Sequence, residues 1–147
     1  MRGLYLVSVW LHILAAMTWA GGMVTFVVLV MPYFRRQPEP ARIDYLNWFG
    51  PRFAAVSWIC LSILLATGLF SLWARGVQPG DFLRPEWRAT AFGRLLQWKL
   101  ALVVLIVVLS ATHARAGSNA QARWLGRVLL VIGLAIVAIA VSMVRAS

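Results

Sequence analysis

Residues 5–30 read YLVSVWLHILAAMTWAGGMVTFVVLV, and no Lys, Arg, Asp or Glu occurs from Gly3 to Phe34. A helix needs about 20 consecutive apolar residues to cross the hydrocarbon core of a bilayer. The stretch therefore predicts a transmembrane helix, closed by Pro32 and the Arg35-Arg36 pair. It is too long for the apolar centre of a signal peptide, which runs to about 7–15 residues. Three further apolar runs follow it, so the chain is expected to be an all-α integral membrane protein. The expected form is a four-transmembrane-helix bundle with short loops: one membrane domain over residues 1–147, with spans of 5–30, 53–74, 92–114 and 122–144.

The connecting segments support this division. Loop one, Arg35 to Arg52, places Pro38, Pro40 and Pro51 around Ile43-Asp44-Tyr45-Leu46-Asn47-Trp48-Phe49. It is expected to form a separate aromatic, amphipathic piece in the headgroup layer. Loop two contains Gly76, Pro79-Gly80 and Pro85, breakers that exclude a continuous helix until Thr90. A polar turn from Arg115 to Ala120 joins the last two spans.

Composition agrees. Of 147 residues 62% are hydrophobic and 12% charged, against about 25% charged in ordinary soluble domains. The net charge of +10 would suggest nucleic acid if it formed a patch, but the cations flank apolar runs, where they meet anionic lipid headgroups instead. Four spans put both termini on one side. Arg35, Arg36, Arg42, Arg52, Arg115, Arg123 and Arg127 lie on one face, and Arg2, Arg75, Arg84, Arg88, Arg94, Lys99 and Arg145 on the other. This even distribution leaves the positive-inside rule undecided; termini outside is the expectation, because loops one and three hold their cations closer to the helix ends. The single cysteine, Cys60, permits no intrachain disulfide.

No P-loop, HExxH or CxxC motif occurs, and the four carboxylates all lie in loops. Chemistry therefore falls to ionisable groups inside the spans, which are costly there and usually face the protein interior. His12 shares a helix face with Ala16, Trp19 and Met23. The face suits a flat cofactor held by an imidazole; it equally suits a histidine hydrogen-bonded to a neighbouring helix. Lys99 opens a second stripe with Val103, Ile106, Ser110 and His113. Its ammonium either meets His12 at a similar depth from a parallel helix or snorkels to the headgroups. His113 lies 14 residues beyond Lys99, about 21 Å along the axis, and belongs at the opposite surface. Ser57, Cys60, Thr67 and Ser71 share one face, and Gly126, Gly133 and Ala140 another; small residues of this kind let helices approach closely. Met17, Met23 and Met31 do not align as a copper box.

Two motifs carry a family resemblance. The run Leu11-His12 with Trp19-Ala20-Gly21-Gly22 resembles the LH…W-x-G-G pattern of the first helix of CopD-type membrane proteins. Thr90-Ala91-Phe92-Gly93-Arg94-Leu95-Leu96-Gln97-Trp98-Lys99 resembles the T-x-F-G-x-x-L-x-x-K stretch of the same family. The resemblance implies a role in copper uptake or resistance. The related HemJ proteins share the first-helix histidine and third-helix lysine, and they bind b-type haem and oxidise protoporphyrinogen. On that resemblance His12 is the metal ligand and Lys99 binds the cofactor or acts catalytically; the helix face shared with His12 makes Trp19 and Met23 its expected lining. Haem b is the expected cofactor, with copper as the alternative, in a bacterial inner membrane. No methionine- or histidine-rich loop accompanies the motifs, and the loops differ from those of HemJ. Two other readings remain: a cofactor-free accessory subunit of a larger membrane complex, and an oligomeric transporter of copper or a small solute. Possible partners are thus the lipid bilayer and further membrane-protein copies, without nucleic acid.

Overall fold

The structure, a computed structural model, describes residues 2–113 and 119–146. All regular structure among these residues is helical. Helix α1 (Arg2–Thr25) runs through one π-helical turn (Phe26–Val30) into a short α2 (Met31–Phe34). Helix α3 spans Glu39–Ala74. A 3₁₀ turn (Pro79–Leu83) and the short α4 (Pro85–Ala89) lead into α5 (Ala91–His113), and α6 covers Asn119–Ala146. Four segments are long and apolar enough to cross a membrane: Gly3–Phe34, Glu39–Ala74, Ala91–His113 and Trp124–Met143. The chain forms two compact units, Met1–Arg75 and Gly76–Ser147.

In the first unit α1 packs antiparallel on α3: Tyr5 reaches Arg75, His12 meets Thr67, and Phe26 stacks on Phe49. The buried face of α1 carries Ser8, Ala15, Trp19 and Met23, spaced by seven, four and four residues, as a single helical stripe demands. Gly22 belongs to this packing, because a Cβ there would come 3.1 Å from the Phe53 ring. At the far end the rings of Phe26, Phe34, Tyr45, Phe49 and Phe53 form a stack. Phe34–Tyr45 centroids lie 3.9 Å apart and Phe26–Phe49 4.9 Å, with Phe49 also stacked on Tyr45 and Phe53 at 5.4 Å each.

The π turn makes that stack possible. In a regular α-helix Phe26 and Phe34 point about 80° apart. One extra residue accommodated in a π turn closes the angle to about 20°, so both rings address α3.

Loop one corrects the sequence-based expectation. Its aromatic segment is no separate interfacial piece. Glu39 to Ala74 is one helix with Pro51 inside it, beginning at Glu39 rather than Phe53. Proline deprives the Asn47 carbonyl of its helical donor. Asn47, Trp48, Gly50, Pro51 and Arg52 are all exposed, so the orphan carbonyl lies on a surface open to solvation. Arg52 braces the same turn: its guanidinium donates to the Trp48 carbonyl at 2.9 Å and lies 4.4 Å from the Trp48 ring centroid. Helix α3 stops at Gly76, whose φ of +72° is the left-handed cap that glycine adopts without a Cβ penalty.

In the second unit α5 packs on α6; Leu96 and Ile106 of α5 and Leu125, Leu129 and Gly133 of α6 are buried, and Gly93 is buried against Trp87 and Thr90. The breakers of loop two act as expected and α5 begins at Ala91. Asp81 caps the 3₁₀ turn, accepting from the Gln78 N–H at 2.8 Å and from Arg84 at 3.1 Å. The predicted turn from Arg115 lies mostly outside the described residues; Asn119 and Ala120 already belong to α6.

Candidate functional site around His12

His12 sits at the middle of the α1 stripe and is partly buried. Its Nδ1 lies 2.8 Å from Thr67 Oγ1 on α3. The Thr67 hydroxyl has one proton, and it donates to the Ile63 carbonyl at 2.6 Å, a bond within its own helix that α3 makes possible at the i−4 position. Thr67 Oγ1 must then accept from His12, which places the ring proton on Nδ1 and the acceptor lone pair on Nε2. This is the tautomer in which metal-ligating histidines are usually held, with the non-ligating nitrogen donating to a neighbouring oxygen. Gly68 follows Thr67, and even a Cβ added to it would stand 3.7 Å from His12 Cε1. That is ordinary van der Waals contact, so Gly68 packs beside the ring.

Two polar layers continue from His12 towards the Arg75 end of the unit. Ser8 lies one turn before His12 and is buried, with no hydrogen-bond partner for its Oγ among the described residues. Ser71 lies one turn after Thr67 and donates to the Thr67 carbonyl at 2.8 Å. Beyond them an Arg75 nitrogen approaches the Tyr5 hydroxyl at 3.5 Å.

Trp19 and Met23 are buried on the face that carries His12 and Phe26, so both serve the packing of the unit. Lys99 belongs to the second unit, half-buried on α5 between Leu96 and Ile106. His113 is exposed at the end of α5. Among the described residues no group of three or more His, Cys, Asp or Glu side chains could enclose a metal ion. Cys60 is a buried free cysteine on α3.

The motif that leads to Lys99 proves to be a corner in the chain. Thr90 donates to the Trp87 carbonyl at 2.6 Å and accepts from the Gly93 N–H at 3.0 Å, capping α5. A Cβ on Gly93 would overlap the Trp87 carbonyl oxygen, so glycine lets α4 cross the first turn of α5. Phe92 meets the Trp87 ring edge-on at 6.5 Å.

Sequence reasoning placed Thr67 on a packing face and missed its part as the histidine's acceptor. The signal was present: an imidazole in an apolar span must find an oxygen for its N–H, and Thr67 belongs to the stripe of Ser57, Cys60, Thr67 and Ser71.

The fold and site thus define an all-helical chain with four membrane-length apolar helices and an oriented imidazole in its first helix pair. No family model matches the chain, and no solved structure does. It is similar to an uncharacterized protein of Aquifex aeolicus (strain VF5), 28% identical over 137 residues, an alignment covering 86% of each chain.

Proposed function

We propose that the chain is an integral membrane protein that holds a b-type haem through His12 Nε2 near one membrane face and serves membrane redox chemistry, as its resemblance to CopD- and HemJ-type proteins implies. The observation that carries the reading is the His12–Thr67 hydrogen bond of 2.8 Å, which orients the ring and puts its proton on Nδ1. A bound haem supplies one-electron chemistry at its iron. The porphyrin contributes four nitrogens of its own, so one protein imidazole on a face suffices. Copper is the second reading, with the His12 imidazole as its ligand. It stands second because a protein copper centre draws on several side chains. Lys99 enters as a proton-transfer residue on the strength of the resemblance, and the HemJ-type oxidase activity enters on the same footing.

Membrane placement is supported by the apolar residues that the helices turn outward. Leu6, Trp10, Met17, Val28, Leu29, Ile59, Leu69, Val104, Val131 and Val141 are all exposed, more apolar surface than a soluble monomer of this size shows to water. The bacterial inner membrane is the proposed location, and further copies or a larger membrane complex are the proposed partners.

Absorption spectroscopy with metal analysis on the purified full chain tests the reading. A Soret band with stoichiometric iron is expected, lost in His12→Ala and kept in His113→Ala. Protein lacking both the Soret band and bound copper would remove the cofactor reading. Cofactor-free protein co-purifying with a stoichiometric partner would replace it with an accessory-subunit role.

A further inference from the structure

The antiparallel register of α1 and α3 sets three polar layers one above another. Tyr5 faces Arg75 and His12 faces Thr67, so Ser8 comes level with Ser71 between them. From Tyr5 to His12 the column spans about 10 Å at 1.5 Å per residue. Past His12 the face becomes apolar with Ala15, Trp19 and Met23. The column therefore opens at one end only.

Ser8 is the informative member. It is only 9% exposed, yet among the described residues its Oγ has no hydrogen-bond partner. A serine in an apolar helix ordinarily bonds back to its own preceding turn, and Ser8 does not. Buried hydroxyls without a protein partner are regularly satisfied by water, which needs two to four polar neighbours. Those neighbours are at hand. The Ser71 hydroxyl spends its proton on the Thr67 carbonyl and keeps its lone pairs, and the Tyr5 hydroxyl lies one turn from Ser8 towards the open end.

We propose that the first helix pair binds ordered water at Ser8, making the Arg75–Tyr5, Ser8–Ser71 and His12–Thr67 layers a hydrated inlet from the Arg75 end to the imidazole. The inlet stops at His12, because the α1 side continues as Ala15, Trp19 and Met23 and the next members of the α3 stripe, Cys60 and Ser57, lie seven and ten residues beyond Thr67, about 10 and 15 Å along the axis; it admits water without forming a path across the whole pair. It rests on the geometry of this unit and not on the haem reading, so either stands if the other fails.

Deuterium exchange on the reconstituted full chain tests it. Cysteine is placed at the inlet as Ser8→Cys, or two turns deeper as Ala15→Cys, with the native thiol removed by Cys60→Ala. On transfer to D2O, the infrared S–H band of Ser8→Cys should convert to S–D about tenfold faster or more than that of Ala15→Cys, whose exchange waits on opening of the helix pair. Equal rates overturn the inlet. A second measurement needs no cysteine: the thermal midpoint of Ser8→Val. Removing a hydroxyl that binds water should lower it. Removing one that is dry and unpaired relieves a cost, so a raised midpoint also overturns the proposal.

Discussion

His12 and Thr67, 55 positions apart in the chain, meet at 2.8 Å through Nδ1 and Oγ1, and the direction of that bond follows from a second one within α3. Because Thr67 has committed its proton to the Ile63 carbonyl, it can only accept from the ring. A threonine that sequence alone assigns to helix packing thus decides which imidazole nitrogen is basic.

Replacing Thr67 separates orientation from ligation. Thr67→Val keeps the shape of the side chain but leaves the Nδ1 proton without its acceptor, an unmade buried bond costing about 1–3 kcal/mol. Loss of such a supporting contact typically weakens metal binding by about 10–100-fold. Haem titration followed at the Soret band should show that weakening, and Thr67→Ser, which restores the hydroxyl, should recover most of it. Equal haem affinity in Thr67→Val and the parent would deny Thr67 the role.

Glycines of the chain differ in what surrounds them, and stability should follow. Gly93→Ala puts a methyl group into the Trp87 carbonyl, and the α4–α5 corner must shift at a cost of roughly 1–3 kcal/mol. Gly21 has open space where its Cβ would be, so Gly21→Ala should gain up to about 1 kcal/mol of helix propensity. Unfolding of the two variants in detergent should move in opposite directions.

Phe49 occupies the centre of the ring stack, 4.9 Å from Phe26 and 5.4 Å from both Tyr45 and Phe53. Phe49→Leu preserves apolar bulk and removes the ring contacts, worth about 0.5–1.5 kcal/mol per pair. A destabilisation of roughly 1–3 kcal/mol is expected, larger than for Phe70→Leu, whose single ring contact is with Trp73.

Membrane placement has its own test at Val104, which is 63% exposed near the middle of α5. An arginine at the centre of a spanning helix costs about 2.5–3.5 kcal/mol on insertion. Val104→Arg should shift α5 out of the membrane in a glycosylation-reporter assay, while Leu83→Arg, in the exposed 3₁₀ turn, should leave insertion unchanged. Efficient insertion of Val104→Arg would argue that this face of α5 meets protein or water, not lipid.

The helices were legible because the apolar runs from Gly3, Phe53, Phe92 and Ala122 are longer than any soluble fold needs, and the stripe through His12, Trp19 and Met23 obeys simple helical spacing. Loop two was legible through its breakers. The continuity of α3 through Pro51 was not, since whether proline ends a helix depends on what else can satisfy the freed carbonyl, and that is a matter of exposure. Nor was the Thr67 partnership, because register between two helices comes from packing of whole faces: the same stripe of Ser57, Cys60, Thr67 and Ser71 reads as small-residue packing until its depth beside α1 is known. The role of Thr90 and Gly93 lay in plain view as a motif, yet only the crossing of α4 explains why those residues are a threonine and a glycine.

The π turn at Phe26–Val30 makes the first helix sensitive to its length as well as its composition. An apolar substitution within those five residues keeps the residue count and so the angular phase of Phe34, whereas deleting a single one of them rewinds the segment to ordinary pitch and swings Phe34 away from Tyr45. Among related chains, a one-residue gap at this point would thus have to appear together with a rearranged aromatic set on α3, so that alignment gaps and ring positions should change in step.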